Sequence, residues 1–446
     1  SLTQKLNEPQ NEKVSNTRNH FYGLFDNSKV LGRLNREFVT ISLPAFVALI
    51  ADPVASMVDA IYVARLGAVA QAAMGIAISA QYSVAKLYND PLLKTSTSLV
   101  AARKGEELEA SVATAIATAV IIGTVQSLVY VIFGKLILRV MGVAATSELS
   151  VPAFEYLLWR ALGVPAATVL LVVNGIFRGR GDTKTPLYCT VLGNIVNIVL
   201  DPVFIFTFKM GVAGAGVATA ISQWVTALPL IYLLNKTVPI KLFGRSKHFF
   251  RNALLAYFEA GGLILIRTVA KVAAYTVTAS AAAKLGTVAM AAYSLTFNLG
   301  FATSQMCESI SIAAQAMLAK EFPYDTEDKR KEAAHIMRIS LFLGVLVSAL
   351  LSFIMWINRD TVLNQLTKSP AVFAAAAAIM PTVLATQLLK GLAYSTGGII
   401  LGGLDWLWSS VSVQLSSLAC VGLLLFLPKT LNNIWISLAV FMATQV

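Results

Sequence analysis

Twelve apolar stretches, most of them long enough to cross a bilayer as a helix, set the limits on what this 446-residue chain can become. They fall at roughly 35–64, 67–101, 108–139, 151–178, 185–208, 211–234, 252–283, 287–318, 333–357, 370–396, 404–427 and 432–446. With 57% hydrophobic residues, 13% charged and a mean hydropathy of +0.70, the chain holds more apolar sequence than a soluble domain of this size needs. A backbone in lipid must satisfy its own hydrogen bonds, so the expected fold class is all-α integral membrane, with twelve transmembrane helices in two six-helix bundles. The expected division is a cytoplasmic N-terminal tail (1–34), an N-terminal bundle (35–234), a basic cytoplasmic linker (235–251) and a C-terminal bundle (252–446). Residues 1–30, polar and mixed in charge, read as a disordered or surface tail and not as a cleavable signal. The last stretch is short for a span, as if the chain ended in mid-helix or lacked a native tail.

Within these stretches a few residues are out of place. The run from Leu187 to Phe208 is almost wholly apolar, yet it contains Asn194, Asn197 and Asp201 at spacings that stack them on one helix face. A carboxylate at membrane depth costs about 2.5–3.5 kcal/mol even on lenient insertion scales, so it is a functional-site candidate that faces a cavity or the bundle interior. The first stretch holds Asp52 and Asp59, about two turns apart on one face, with Pro44 and Pro53 freeing carbonyls that neighbours or water must satisfy. Two readings stand at Asp52: a partner for a Lys or Arg near the rim, or a member of the site. Asp59 and Asp201 read as functional.

The formal net charge of +12 does not call for nucleic acid. Basic residues crowd alternate loops: Lys5, Lys13, Arg18, Lys29, Arg33 and Arg36; Arg103 and Lys104; Arg178, Arg180 and Lys184; Lys236, Lys241, Arg245, Lys247 and Arg251; Lys320, Lys329, Arg330 and Lys331. The opposite loops hold only Arg65, Lys209, Lys284, Arg359, Lys368 and Lys429. This is the positive-inside pattern; it places both termini in the cytoplasm and requires an even number of spans. Cys189, Cys307 and Cys420 lie inside predicted helices without metal-ligand spacing and read as core residues. His20, His248 and His335 are scattered and shallow, so neither a histidine relay nor a metal site is expected.

An internal echo supports two related halves. Leu66-Gly67-Ala68-Val69, then Ala72-Ala73-Met74, is matched by Leu285-Gly286-Thr287-Val288, then Ala291-Ala292-Tyr293, 219 residues later. Two bundles related by an axis along the membrane normal are a transporter plan, with the substrate site between them near mid-membrane.

Two stretches carry a family resemblance. Pro53-Val54-Ala55-Ser56-Met57-Val58-Asp59-Ala60-Ile61-Tyr62-Val63-Ala64-Arg65-Leu66-Gly67 resembles the first-helix signature of the multidrug and toxic compound extrusion (MATE) family. Gly175-Ile176-Phe177-Arg178-Gly179-Arg180-Gly181-Asp182-Thr183-Lys184-Thr185-Pro186, continuing to Gly193-Asn194-Ile195-Val196-Asn197-Ile198-Val199-Leu200-Asp201-Pro202, is similar to the family's cytoplasmic turn and fifth helix. Lys86-Leu87-Tyr88-Asn89, Pro91-Leu92-Leu93, Arg267, Ala291-Ala292-Tyr293 and Gln315-Ala316 resemble the plant citrate-effluxer-like (DinF-like) branch. The sequence departs from that branch at Asp90 and Lys94, where uncharged residues are usual, at Glu259 in place of a base and at Gly397 in place of an acid; loop 102–109 is also shorter. The resemblance implies that Asp59, Asn197 and Asp201 bind a coupling cation in the N-terminal bundle, and that rocking of the two bundles extrudes substrate.

Basic residues also sit at membrane depth: Lys86, Lys94, Arg267, Lys271 and Lys390. Lys86, Asp90 and Lys94 form a ladder at spacings of four, and Pro91 is expected to break the helix there. Either Asp90 neutralises the lysines while Glu259 or Glu308 does so for Arg267 and Lys390, or surplus positive charge accepts a carboxylate substrate. Arg267 suits a carboxylate best, through two parallel hydrogen bonds. Gly397-Gly398 and Gly402-Gly403 read as close packing or a hinge, since no Lys-Ser/Thr follows them. The alanine run 374–378 reads as a tightly packed helix start.

The sequence reading is therefore a cation-coupled secondary antiporter, with H+ preferred over Na+, exporting an organic anion such as citrate by alternating access. Asp59, Asn194, Asn197 and Asp201 are the coupling set, and Lys86, Arg267, Glu308 and Lys390 the substrate set. The alternatives are a multidrug exporter of organic cations and a flippase for a lipid-linked precursor. No catalytic cluster argues for an enzyme, and no cofactor or metal is expected. The expected partners are a small organic substrate, the coupling ion and the lipid bilayer, with no nucleic acid and a monomeric state. A plasma-membrane location is preferred to the plastid envelope or vacuole.

Overall fold

The computed structural model describes residues 10–240, 247–321, 326–367 and 369–446, and the side chains of all of these except 10–29, 68, 247–250 and 301–302. Lys5, Lys241, Arg245 and Lys368 lie outside the described residues, as do the side chains of Lys13, Arg18, His20, Lys29, Lys247 and His248. Among the described residues every regular element is helical.

The N-terminal bundle comprises α1 (Gln10–Ala64), α2 (Ala68–Ala102), α3 (Gly105–Val140), α4 (Ser150–Ala161), α5 (Val164–Gly179), α6 (Lys184–Pro202) with a π turn at Val203–Thr207, and α7 (Val212–Thr237). The C-terminal bundle comprises α8 (Lys247–Lys284), α9 (Thr287–Glu321), α10 (Glu327–Ile357), the short α11 (Arg359–Leu366), α12 (Pro370–Gly402), α13 (Trp406–Phe426) and α14 (Leu431–Ala443). Eight of the helices are long and apolar enough to span a membrane alone, and α4 with α5 makes a ninth span. The other three rods are α2 and α9, equally long but more polar, and α14, whose 13 residues match the short final stretch.

Four local features differ from the sequence reading. The helix of α1 starts at Gln10, so the polar segment after Pro9 continues the first rod: propagating a nucleated helix is far easier than starting one. The fourth span is bent by 51° between α4 and α5 and not straight over 151–178. Pro165 offers no N–H to the carbonyl of Ala161, which instead accepts from Ser127 Oγ at 2.7 Å, while Trp224 Nε1 donates to the carbonyl of Leu162 at 3.0 Å. Conversely, α2 runs through Pro91 without a break. The fifth span ends in the π turn after Pro202, where Phe208 N–H reaches back five residues to Val203 O at 2.9 Å.

What changes at Pro91 is the surroundings. Before it, α2 buries mainly one face, with Ala73, Met74, Ala77 and Ala80; from Leu92 to Val100 nearly every position is buried. Helix α9 does the same, half exposed over 287–299 and buried at every position over 309–319. Both buried stretches lie toward the basic loops. There α1 packs Leu34, Phe38, Ile41 and Ala45 onto Ile310, Ala313, Ala314 and Met317 of α9, and α2 meets α8. Gln315 Nε2 donates to Lys94 O at 3.0 Å and to Ser98 Oγ at 2.7 Å, and Ser98 Oγ donates to Leu401 O at 2.9 Å. Ion pairs Lys320–Glu37 (3.2 Å) and Arg33–Glu332 (3.4 Å) close the same end. The bundles thus join on the basic-loop side and part toward the other.

The repeat is visible in the backbone. Gly67 and Gly286 hold nearly the same left-handed φ, 108° and 105°, in turns with matching hydrogen bonds to the third residue back. The glycines of α12 serve close packing: a Cβ on Gly398 would lie 2.6 Å from Ser311 O, and one on Gly402 3.0 Å from Gln315 O. Cys189, Cys307 and Cys420 are buried and free.

Candidate functional site: two polar cavities

Helices α1, α4, α5, α6 and α7 enclose a cavity of about 280 Å³ whose walls include Asp52, Asp59, Arg160, Asn174, Asn197 and Gln223. Asp201 lies at the last turn of α6, just before the π turn, and is 0% exposed. Asn197 Nδ2 donates to Asp201 Oδ1 at 3.3 Å, and Asp59 reaches across from α1 to interact with Asp201 directly. Asp59 Oδ1, Asp201 Oδ2, Asn174 Oδ1 and Gln223 Oε1 are buried without a hydrogen-bond partner. An unsatisfied buried oxygen is expensive, and the unpartnered oxygens of the adjacent Asp59 and Asp201 are hard donors suited to a proton or a small cation. Asn194 lines the same cavity but donates to Asp52 Oδ1 at 3.2 Å, so it belongs to a second acid and not to the Asp201 cluster. The reason is register: Asn194 sits nearly two turns from Asp201, level with Asp52 on α1. Asp52 also feels Arg178, which fits its reading as a partner for a base.

Arg160 is the residue that the sequence reading passed over. It stands just before the α4–α5 bend and enters the acid cavity as its one lining base. Its Nη1 donates to Tyr156 Oη at 2.6 Å, and its Nε is buried without a partner. The signal that exposed Arg267 and Lys390, a base inside a predicted span, was present here too.

The second cavity, about 530 Å³, lies between the bundles. Lys86, Lys94, Arg178, Lys271 and Lys390 line it against Asp90 and Glu308, five bases to two acids. Lys94 takes up much of the negative charge, 3.8 Å from Asp90 and 3.6 Å from Glu308. Lys390 is 7% exposed and bonds only to neutral oxygens, Gly300 O at 3.1 Å and Ser304 Oγ at 3.2 Å. Gly300 leaves it room, since a Cβ there would come within 3.1 Å of the ammonium. Lys271 lies over the Tyr394 ring, 5.2 Å from its centroid, and Lys86 over Tyr82 at 5.5 Å. Arg267 stands behind this wall, close to Asp90, Glu308 and Tyr394, with Nη2 3.1 Å from where a Cβ on Gly397 would be. Glu259 is exposed, on another turn of α8, and forms no ion pair with Arg267; Glu308 pairs with Lys94 and not with Lys390.

The MatE family model matches this chain twice, over residues 44–203 and 264–423, one block in each bundle. The chain belongs to the MATE family. It is similar to Protein DETOXIFICATION 45, chloroplastic, of Arabidopsis thaliana, 31% identical over 441 residues that cover 92% of this chain and 77% of the relative. Protein DETOXIFICATION 44, chloroplastic, from the same plant is 30% identical, covering 93% and 81%. Among solved structures, a mutant of the Vibrio cholerae MATE transporter VcmN superimposes with a TM-score of 0.83 at 16% identity, over 93% of this chain and 95% of that one. The fold is thus the MATE fold, all-helical in two bundles, and the chain is an integral, multi-pass membrane transporter of that family. Within it, the MATE-like residues Asp59 and Asn197 line one pocket, and Asp201 is buried directly against them. Lys86, Glu308 and Lys390 share the other cavity; Arg267 is displaced behind it and Asn194 toward Asp52.

Proposed function

We propose that this protein is a cation-coupled antiporter that exports a small organic anion, with citrate as the type substrate. The observation that carries the reading is Lys390: a buried ammonium held only by neutral oxygens, in a cavity where bases outnumber acids five to two. Burying an unpaired ammonium is costly, and a substrate carboxylate offsets that cost. Aromatic rings at Tyr82, Tyr275, Phe297 and Tyr394 line the same cavity and lower the polarity around those bases, which strengthens their pull on an anion. This favours an anion over the organic cations of a multidrug exporter.

The coupling ion is a proton. Two carboxyl groups as close as Asp59 and Asp201 hold one proton between them at less electrostatic cost than they hold two charges. Asp59 and Asp201, adjacent and desolvated, share the charge. Protein reconstituted in liposomes should move labelled citrate against its gradient when a pH gradient is imposed, and not when a sodium gradient of equal size is imposed at constant pH. Sodium-driven transport would overturn the ion assignment, and transport of a lipophilic cation without citrate would overturn the substrate. The plasma-membrane expectation and the chloroplastic designation of two relatives predict different images for a fluorescent fusion, the cell periphery or the plastid rim.

A further inference from the structure

Arg160 is used by neither half of this scheme, yet it is the base placed nearest to the acid pair. It lines the acid cavity and also a neighbouring chamber of about 220 Å³ bounded by Tyr88, Asn89, Gln126 and Gln223. Its charge acts on Asp59, but no carboxylate lies within ion-pair distance of it; the Tyr156 hydroxyl holds one end at 2.6 Å while Nε stays unpartnered. Tyr156 is 1% exposed, so the tether is rigid. The groups facing Arg160 are Asp59 from α1, Tyr130 from α3 and Tyr156 from its own helix, with Asp201 of α6 behind Asp59. Asp52, farther along the same cavity, has its own base in Arg178, so the acid pair with Arg160 leaves one net negative charge at that end.

We propose that Arg160 is a resident counter-cation, tethered by Tyr156 beside the acid pair, that limits the pocket to one monovalent coupling ion and weakens its hold so that the ion is released in each cycle. The inference rests on the acid pocket being the coupling site. Arg160 is a positioning residue in this scheme: it acts on the ion through Asp59 without touching it. A guanidinium at fixed distance in a partly desolvated pocket repels an incoming cation, and its repulsion is present before binding as well as after. Moved onto Asp59, the same group would compete with the ion outright.

The test is charge displacement on a supported membrane carrying the reconstituted full chain, triggered by proton jumps without sodium and by sodium jumps at fixed pH. Arg160→Gln should bind the ion about tenfold more tightly, which is about 1.4 kcal/mol, and turn over more slowly. Arg160→Lys should stay within about threefold of the wild type because it keeps the charge. Tyr156→Phe cuts the tether, lets the guanidinium settle on Asp59 and should shift the midpoint the opposite way. Unchanged midpoints in Arg160→Gln and Tyr156→Phe, or shifts of the same sign, would overturn the proposal; if Arg160→Gln does not fold, a Tyr156→Phe midpoint that does not weaken overturns it alone. Asp201→Asn separates this from the underlying reading: charge displacement surviving in that variant removes the coupling site itself, whatever Arg160 does.

Discussion

The two bundles are built on one repeat, but corresponding positions in it do not carry the same charge. With Leu66-Gly67 set on Leu285-Gly286, an offset of 219 residues (285 − 66), Asp59 falls on Thr278 and Asp52 on Lys271. Thr278 has no unmet need: its hydroxyl bonds to Tyr275 O and Tyr293 Oη, both at 2.9 Å. Asp59 keeps a buried oxygen without a partner. The N-terminal copy of the position is thus an acid in want of a cation, and the C-terminal copy a satisfied hydroxyl. At the other position an acid becomes Lys271, which faces the central cavity. The lesson is that the shared fold sets where polar groups can enter the membrane, while each bundle's own residues decide which ion they meet there.

The largest effect expected on this contrast is at Asp201. Asp201→Asn should lower gradient-driven citrate transport by about 100-fold or more while the thermal midpoint in detergent holds or rises, because a buried carboxylate no longer has to be desolvated. Asp59→Asn should match it, and the double variant should be no worse than either single, since groups forming one ion site are not additive. Multiplicative losses would split the pair into separate roles.

Next in size is Arg267→Ala: from behind the cavity wall its charge should count for less than the roughly 2–5 kcal/mol of a direct bidentate contact, yet its loss should still weaken a carboxylate substrate more than a lipophilic cation. Arg267→Lys should recover only part. Equal losses for anion and cation, read as transport KM for each, would reduce Arg267 to a support for Asp90 and Glu308.

These expectations show how far the sequence carries. The rods, the standing of Asp59 and Asp201 as separate candidates and the basic character of the middle were legible because a charge in an apolar run is costly and therefore conspicuous; that the two acids meet was implied by the family resemblance alone. The bend at Gly163 was not, because a glycine two residues before Pro165 also fits an unbroken span; what decides is that α7 comes so near that a Cβ on Gly163 would lie 2.8 Å from Ala220 Cα. Arg160 was overlooked with the bend that presents it. Asn194 was misassigned because a shared face says nothing about which partner on the facing helix lies at the same height. The partnering of Glu308 with Lys94 joins residues 214 positions apart (308 − 94), which helix periodicity does not predict.

The smallest effect tests the repeat itself. Gly67→Ala and Gly286→Ala should each cost about 1–3 kcal/mol, and by nearly equal amounts, since both glycines hold a φ that side chains rarely adopt and neither meets a neighbouring atom. Unequal costs, measured as shifts in the thermal midpoint, would mean the two turns are not equivalent.

The division of labour between the two cavities is tested most directly by equilibrium binding of citrate to the purified protein in two variants. Asp201→Asn should bind citrate within about threefold of the wild type despite having lost transport, because its pocket holds the ion and not the anion. Lys390→Met should bind it at least about tenfold more weakly, a loss of about 1.4 kcal/mol or more, while its charge displacement on ion jumps persists. Citrate binding lost in Asp201→Asn and kept in Lys390→Met would contradict the account.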